Sequence, residues 1–468
     1  MEHRKITGLG LFLIALIFIF CSSPCDAETL WGVTALFDRV LVTLPTSPDQ
    51  DYSVSYTSHP MKVIIDSNQP IRQLFQDSAL RDVALKEVRY TEERTGASRL
   101  VLEFHYQLPE GVITETEDFF QLEISKVFEN TTRRMVEPGV IYGHQRRADS
   151  FGPNVVNYLE IDLRRNLEIK LALAQDKVFG AEQVSSLAKR TGAIVAVNGA
   201  YFASNGRPLG VLMIDGELVS EPYANRTAVG LGPAGVVMDN VSFSGEVLRS
   251  DGNLLSEISG FNRPRLQDEL IIYTDYYGTK TNTNSFGYEV TVVDGIVTQI
   301  QIGNSTIPKG GLVLSAHGER RQLLADLQIG DALEVNYSLH PNWEELGVTQ
   351  IIGGGPRLIR DGQLEITGEA ELFKDDILKG RAPRTAIGIT ADHKLLLVTV
   401  NGRQPHVSVG MTLEELGNLL LELGAQQAMN LDGGGSTTMI IRNLVLNLPS
   451  DGKERPVSNA IVVVTGSR

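Results

Sequence analysis

A short stretch near residue 430 combines residue types that suit the binding and cleavage of a phosphate ester. It holds two polar side chains at the end of an apolar run, a triple glycine and two hydroxyls: Asn430, Asp432, Gly433, Gly434, Gly435, Ser436 and Thr437. Successive glycine N–H groups can form an anion-binding concavity, and hydroxyls add donors. A carboxylate at its edge, Asp432, is a candidate base or nucleophile. The alternative is a plain hairpin turn, because glycine clusters most often mark turns.

A second candidate stretch follows the continuous apolar run 193–197, which predicts a strand buried on both faces. Asn198 and Gly199 emerge from this strand and are followed by the aromatic residues Tyr201 and Phe202. An amide that bonds hydroxyls and a ring that stacks on a sugar face favour a carbohydrate site. A turn followed by core aromatics is the competing interpretation.

Two charged residues complete the candidate site. Arg384 opens a strand after a flexible approach, and arginine grips phosphate bidentately, although a surface arginine at a strand start is the common alternative. Glu415 lies three residues after Thr412 at a predicted helix start, which is the spacing of a capping box. That spacing favours a structural role for Glu415, and we keep it as a second candidate catalytic carboxylate.

The sequence patterns divide the chain into three parts, and the candidate site residues lie in the last of them. A basic start and an apolar run of about 15 residues predict a signal peptide, 1–27. Alternating segments predict a small β-rich module of the envelope type, 28–136, which is a candidate for association with the cell envelope. The candidate site residues all fall in 137–468. Within that range, the strand-and-turn texture of about 240–346 predicts a β-rich insertion.

Composition restricts the compartment and the partners. Both cysteines, Cys21 and Cys25, precede the expected cleavage after Ala27, so the exported chain would lack disulfides and thiolate chemistry. We expect a periplasmic, extracellular or cell-envelope location in a bacterium. The net charge of −15 makes nucleic acid an unlikely partner and requires local donors for any bound phosphate.

No cofactor is predicted. The histidines have no convincing metal-ligand spacing, and each is better explained as packed or solvated: His317, His393 and His406. A divalent ion held by Asp432 together with phosphate oxygens stays open as an alternative.

Taken in order, five motifs resemble the phosphodiester glycosidase family over residues 138–466. They are 198–202, 353–356, 384–388, 410–415 and 430–437. The resemblance implies an α+β catalytic domain around a mixed sheet with flanking helices. It also implies hydrolysis of a sugar 1-phosphodiester to the free sugar and a phosphomonoester. Bacterial members of the family are often connected with exopolysaccharide biosynthesis.

The resemblance assigns roles by position. It places Asn198 and Phe202 on the sugar side and Arg384 on the phosphate. It places the remaining candidates in the catalytic loop: Asn430, Asp432, Gly433, Gly434, Gly435, Ser436 and Thr437. Two positions depart from the family pattern, Ala200 in place of a frequent glycine and Asn401 in place of a frequent aspartate.

The predicted function is therefore an exported hydrolase that cleaves the anomeric C–O bond of a phosphodiester-linked carbohydrate or a cell-wall glycopolymer. The leaving phosphate is already a stable anion, so stabilisation of its charge supplies most of the catalysis. Two alternatives are a non-catalytic envelope protein that binds glycan and a phosphodiesterase that breaks the P–O bond.

Overall fold

Two antiparallel sheets packed face to face frame the region that contains the candidate site. The computed structural model describes residues 32–71, 82–233 and 235–466. The predicted signal peptide, residues 1–27, lies outside the described residues. Among the described residues, β-strands dominate and helices are few and short.

The first part of the chain forms two four-stranded sheets, with strand orders β1-β2-β8-β7 and β3-β4-β6-β5. Their strands are β1 (Gly32–Ala35), β2 (Arg39–Pro45), β3 (Tyr52–Ser58), β4 (Met61–Ser67), β5 (Leu85–Glu92), β6 (Ser98–Phe104), β7 (Val112–Glu115) and β8 (Phe119–Ser125). Alternate residues of β2, β4 and β8 are buried in one core that both sheets share. The alternating segments of the sequence are therefore confirmed as strands with one buried face.

The next part supplies strands to three further sheets. Its elements are β9 (Phe128–Glu137), β10 (Val140–Asp149), β11 (Gly152–Asp162), β12 (Leu167–Leu173), α1 (Val184–Thr191), β13 (Val195–Asn198), β14 (Leu212–Ile214), β15 (Glu217–Ser220), β16 (Thr227–Gly232) and β17 (Gly235–Asn240). β9 lies before the predicted domain boundary at residue 136, yet it pairs with β10 in the same sheet as β11. The domain division itself stays a prediction.

Residues 242–340 form a three-stranded sheet, β19-β18-β25, and a five-stranded sheet, β20-β21-β24-β22-β23. The elements are β18 (Ser242–Arg249), β19 (Leu254–Glu257), β20 (Gly260–Phe261), β21 (Leu270–Tyr273), β22 (Tyr288–Val293), β23 (Ile296–Gln301), β24 (Gly311–Ala316), α2 (Glu319–Leu323) and β25 (Leu333–His340). Their apolar residues share a core with β14, β16 and β26 (Gln350–Gly353). The section expected to be an insertion thus packs against the rest of the fold.

The remaining elements carry most of the candidate site residues. They are β27 (Arg357–Arg360), β28 (Gln363–Leu364), α3 (Asp375–Leu378), β29 (Arg384–Thr390), β30 (Lys394–Val400), α4 (Leu413–Glu422), β31 (Ala425–Asn430), β32 (Met439–Ile441), β33 (Leu444–Val445) and β34 (Asn459–Thr465). With earlier strands they complete an eight-stranded sheet, β28-β27-β31-β29-β30-β11-β10-β9, and a five-stranded sheet, β12-β34-β13-β32-β33.

These two sheets form the centre of a four-layer arrangement. Ile387 and Met429 of the eight-stranded sheet pack in one core with Val197 and Ile461 of the five-stranded sheet. The outer face of the first sheet is covered by α4, and the outer face of the second by α1. Both flanking helices bury an apolar stripe, as their spacing predicts.

The expected mixed sheet is wrong for both central sheets, because every strand pair described in them is antiparallel. A strand covered by a second sheet on one side and by a helix on the other is buried on both faces. Its sequence therefore reads as the continuous apolar run that is usual in parallel sheets. β20 and β21, in residues 242–340, form a parallel pair.

Within the described residues, no helix combines the length and the apolar character that a membrane span requires.

Candidate active site

The loop that follows Asn430 connects the two central sheets. It leaves the eight-stranded sheet at the end of β31 and enters the five-stranded sheet at Met439, the first residue of β32. Between them, residues 434–436 form a single 3-10 turn. We call residues 431–438 the catalytic loop. Because each end belongs to a different sheet, the packing of the sheets fixes the shape of this loop.

Asn198, the last residue of β13, holds the catalytic loop from the neighbouring strand. Its side-chain N–H donates to the backbone carbonyl of Asp432 at 2.6 Å. Its side-chain oxygen accepts from the Thr385 hydroxyl at 2.8 Å and from the Thr438 N–H at 3.1 Å. The side chain is fully buried. This geometry gives Asn198 a positioning role and does not support the direct contact with sugar that the sequence suggested.

Asp432 is partly exposed, and it forms no ion pair with any residue that the structure describes. Burial raises the pKa of its carboxyl to about 6, while the nearby Ser436 hydroxyl, the charge of Arg455 and the Gly433 N–H act in the opposite direction. A carboxyl with this pKa is ionised at neutral pH. Because its pKa lies close to neutral pH, its protonation costs little free energy. Asp432 therefore has the protonation behaviour of a general base.

One of the three glycine N–H groups is used within the protein backbone: the Gly434 N–H donates to the Pro383 carbonyl at 2.9 Å. The Gly433 N–H lies close enough to Asp432 to lower the pKa of that carboxyl, and the Gly435 N–H has no backbone acceptor among the described residues. The Ser436 and Thr437 N–H groups close the 3-10 turn onto the carbonyls of Gly433 and Gly434. That the glycine N–H groups hold a phosphate stays a prediction.

The glycines also allow other groups to lie directly against the catalytic loop. A Cβ on Gly434 would stand 3.2 Å from Nη2 of Arg403, and one on Gly435 would stand 2.1 Å from Nη2 of Arg455. Gly434 also has a φ of +61°, which a residue with a side chain adopts at a cost. Two guanidinium groups therefore lie against this loop. Arg455 is paired with Asp451 at 2.7 Å, so the unpaired positive charge comes from Arg403.

Sequence reasoning missed Arg403. Its side chain is exposed and has no ion pair among the described residues, so its donors are free for a ligand. It follows β30 directly in the Asn401-Gly402-Arg403 segment, and this position after a buried strand was the available signal. The neighbouring Asn401 is buried, and its side-chain oxygen accepts the Leu448 N–H at 3.1 Å. Asn401, one of the two departures from the family pattern, thus stabilises the segment around Leu448 by a hydrogen bond.

Arg384, the predicted phosphate ligand, is buried and faces the backbone. Its Nε donates to the carbonyl of Met411 at 2.9 Å, and its two Nη atoms donate to the carbonyls of Ile377 and Gly380 at 3.2 and 3.1 Å. Burial lowers the pKa of this guanidinium. A bidentate grip on phosphate by Arg384 is not supported, because these bonds fasten the segment before β29 to the start of α4.

Asn430 and Tyr201 form a hydrogen-bonded pair beside the catalytic loop. The Asn430 amide donates to the Tyr201 hydroxyl at 2.7 Å, and that hydroxyl donates to the Gly355 carbonyl at 2.9 Å. The Asn430 side-chain oxygen is buried and has no partner among the described residues. An unpaired buried acceptor is costly and often marks a site that a ligand completes. Asn430 is the predicted substrate contact that the geometry supports best.

Tyr201, and not Phe202, lies beside the catalytic loop, through its hydrogen bond with Asn430, and its ring packs against Phe373 with centroids 5.5 Å apart. Burial and the charge of Asp432 both raise the pKa of the Tyr201 hydroxyl. Phe202 is partly exposed and packs against the apolar cluster under α1. The prediction that Phe202 stacks on the sugar is therefore not supported, and the competing interpretation of a core aromatic describes its packing.

Glu415 is engaged in structural contacts. It completes the predicted capping box, accepting the Thr412 N–H at 3.0 Å while Thr412 accepts the Glu415 N–H at 3.2 Å. Its two carboxylate oxygens also accept from Arg381 at 2.7 and 2.5 Å. A carboxylate so fully used is poorly placed to activate water, so its candidacy as a second catalytic group is not supported.

The two hydroxyls of the catalytic loop differ in their surroundings. Thr437 is buried and accepts from the Thr385 hydroxyl at 3.3 Å. The Ser436 hydroxyl is buried without a hydrogen-bond partner of good geometry among the described residues, although it lies near enough to Asp432 to lower the pKa of that carboxyl. Ser436 thus acts on the carboxyl of Asp432, and Thr437 supports the loop.

The described residues contain no group of three or more His, Cys, Asp or Glu side chains arranged to hold a metal ion. A divalent ion at Asp432 would need substrate oxygens to complete its coordination.

Residues 286–464 match the family model described as phosphodiester glycosidase. This range contains Arg384, Arg403, Asp432 and Arg455, and it begins inside the section predicted as an insertion. Asn198 lies outside it.

Among curated relatives, an N-acetylglucosamine-1-phosphodiester alpha-N-acetylglucosaminidase of Bos taurus is 31% identical over 115 residues, which is 22% of this chain and 21% of that enzyme. The chain covers 13% to 21% of the lengths of the first curated relatives that it matches.

Solved structures share the fold over most of the chain. A protein from Synechocystis superposes with a TM-score of 0.65 at 23% identity, covering 91% of this chain and 77% of that one. A protein from Burkholderia pseudomallei K96243, described as a candidate exported protein, gives a TM-score of 0.59 at 20% identity, covering 90% of this chain and 98% of its own.

Proposed function

We propose that the protein hydrolyses a sugar 1-phosphodiester at the anomeric C–O bond, because residues 286–464 match the family model described as phosphodiester glycosidase. The products are the free sugar and a phosphomonoester of the aglycone. The observation that carries this proposal is the position of Asp432, an unpaired carboxyl among the described residues, in a loop contacted by the guanidinium groups of Arg403 and Arg455.

The proposed reaction uses these groups in one displacement. A water oxygen bonds to the anomeric carbon, and Asp432 accepts a proton from that water. The bond between the anomeric carbon and the phosphate oxygen breaks, and its electron pair leaves with the phosphomonoester. Arg403 and Arg455 stabilise the charge that grows on the leaving group. Asn430 accepts a hydrogen bond from a sugar hydroxyl through its unpaired oxygen.

A single carboxylate that activates water predicts inversion at the anomeric carbon. Proton NMR of the first sugar product, recorded before mutarotation, tests this. A product that keeps the starting configuration would assign Asp432 the role of a nucleophile.

The decisive experiment is hydrolysis in heavy-oxygen water. The first substrate to test is a methyl phosphodiester of N-acetylglucosamine 1-phosphate, chosen because the name of the bovine relative describes such a bond. We expect the label in the sugar. Label in the phosphate would support the P–O-cleaving phosphodiesterase. Binding without turnover across a panel of sugar 1-phosphodiesters would support the glycan-binding alternative.

We also propose that the protein acts outside the cytoplasm, in the periplasm, at the cell envelope or in the medium. The support is the basic start and the apolar run before residue 21. Mass spectrometry of the protein recovered from these fractions should give a chain that begins after Ala27. A chain that retains residues 1–27 would contradict cleavage.

A further inference from the structure

A cleft outside the catalytic loop lies between the N-terminal sheets and the eight-stranded sheet. Its volume is about 850 Å³. The residues that line it come from the β3–β4 turn, from the end of β6 and from β10, β11 and the segment after β30. They include Tyr106, His105, Arg146, Asn154 and His406. The cleft contains none of the residues of the catalytic loop.

Two residues of the cleft have bonding capacity that the protein does not use. Arg146 is exposed and has no ion pair among the described residues, whereas the adjacent Arg147 pairs with Glu422 at 2.6 Å. Tyr106 is only 7% exposed, and its hydroxyl has no hydrogen-bond partner in the described part of the chain. An unpaired cation and an unsatisfied buried hydroxyl in the lining of one cleft suit a ligand that carries both negative charge and hydroxyl groups.

The same segment borders this cleft and the catalytic loop. In residues 401–410, Arg403 lies against Gly434 and His406 stacks on His105, with ring centroids 4.0 Å apart. Three residues span at most about 11 Å. Asn154 fastens the segment by accepting the Gly410 N–H at 2.9 Å. The two sites are therefore close neighbours on one anchored support.

We propose that this cleft binds a neighbouring repeat of an anionic glycan polymer while one phosphodiester of that polymer occupies the catalytic loop. The inference rests on the proposed function, since it identifies the substrate as a polymer of phosphodiester-linked units. The aromatic and histidine rings provide faces for sugar rings. Arg146 provides a local positive charge on a chain whose net charge is −15. That charge favours an anionic repeat over a neutral one.

The binding test uses the full chain carrying Asp432→Asn, so that the probe is not consumed. The probe is a fluorescein-labelled oligomer of about ten N-acetylglucosamine units joined through 1-phosphodiesters, with dextran of equal length as the neutral comparison. Arg146→Gln should weaken polymer binding by about fivefold to tenfold, which is the effect of one charge-assisted contact. Arg94→Gln, at an exposed arginine of the same module outside the cleft, is the matched control and should bind like the parent.

A second pair of variants tests polymer binding without changing the charge of the protein. Tyr106→Phe should weaken polymer binding without lowering the melting temperature, since its hydroxyl has no partner to lose. Tyr90→Phe removes another buried, unpartnered hydroxyl of the same module outside the cleft and should leave binding unchanged. The proposal is overturned if Arg146→Gln and Tyr106→Phe bind like the parent, or if dextran binds as tightly as the charged polymer.

Turnover separates this inference from the proposed function. With Asp432 intact, Arg146→Gln should raise KM for an oligomer of N-acetylglucosamine units joined through 1-phosphodiesters and leave the kinetics of the small methyl phosphodiester unchanged. If neither substrate turns over but the charged polymer still binds through Arg146, the proposed reaction fails and the cleft assignment stands. If the small substrate turns over and Arg146→Gln leaves KM for the polymer unchanged, the cleft assignment fails.

Discussion

The side-chain amide of Asn198 donates a 2.6 Å hydrogen bond to the backbone carbonyl of Asp432 and thereby ties the catalytic loop to the end of β13. Replacement by alanine would remove that bond and leave the Thr385 hydroxyl and the Thr438 N–H without their acceptor. We expect Asn198→Ala to lose about 2–4 kcal/mol of unfolding free energy and most of its activity. Urea titration and kcat measure both. A stable Asn198→Ala variant with a raised KM alone would instead indicate direct contact with sugar.

Arg403 and Arg384 should respond in opposite ways to loss of charge. Arg403→Gln should keep the melting temperature of the parent, because its side chain is exposed and unpaired, and should lower kcat/KM on the order of a hundredfold. Arg384→Gln should lower the melting temperature, because three backbone carbonyls lose a buried donor. Thermal melts and kinetics on both variants make the comparison. A stable but inactive Arg384→Gln variant would instead support Arg384 as the residue that binds the phosphate.

Alanine substitutions at two glycines of the catalytic loop, Gly433 and Gly435, should differ in their effect on stability. In Gly435→Ala the new Cβ meets the far ends of Arg455 and Asp451, which can move, so stability should change little while activity falls. In Gly433→Ala it lies 2.7 Å from the Pro383 carbonyl, which is backbone, so the fold should lose stability as well. Melting temperatures and kcat/KM of the two variants test the distinction. Full activity in Gly435→Ala would show that the position of Arg455 is unimportant.

The raised pKa of Asp432 predicts how activity depends on pH. If Asp432 acts as the base, kcat/KM should rise with pH up to about 6 and then level off. A profile that falls through pH 6 would mean that the protonated carboxyl is the active form.

The sign of the stability effect follows from the same pKa. Asp432 ionises at about 6 in the folded chain and near 3.8 when unfolded, so the folded state binds more protons between these values. Stability from this group is complete below the unfolded pKa and is lost as pH rises through the folded one. Asp432→Asn should therefore be more stable than the parent at pH 8 by up to about 3 kcal/mol, and this advantage should shrink toward pH 4. Chemical denaturation at both pH values measures the difference.

Glu415→Gln should separate structure from catalysis at the start of α4. The amide can still complete the capping box but loses the ion pair with Arg381, so we expect a loss of about 1–2 kcal/mol and little change in kcat. Glu414→Gln, at the exposed neighbour in the same helical turn, is the control for charge near the helix start. A stable but inactive Glu415→Gln would restore its candidacy as a catalytic carboxylate.

The sequence predicts features that depend on local spacing. The capping box of Thr412 and Glu415, the alternating strands of the first part of the chain and the strand that delivers Asp432 are each encoded within a few residues. The structure confirms these elements.

Features that depend on long-range packing were not predictable in this way. Nothing local distinguishes Arg384, whose partners are distant carbonyls, from Arg403, whose partner is a glycine brought near by folding. The choice between Tyr201 and Phe202 depends on how the chain turns after β13. The antiparallel pairing of the central sheets was hidden because burial on both faces produces the same apolar run in either arrangement.

The position of β34 between β12 and β13 has a consequence for biosynthesis. The strand that ends in Asn198 pairs with β32 on one side, but its other neighbour is missing until residues 459–465 have been made. Before then, β12 and β13 leave unpaired backbone groups at the gap that β34 will fill. An incomplete chain therefore cannot close its five-stranded central sheet, and β12 and β13 are joined only when the last strand is in place.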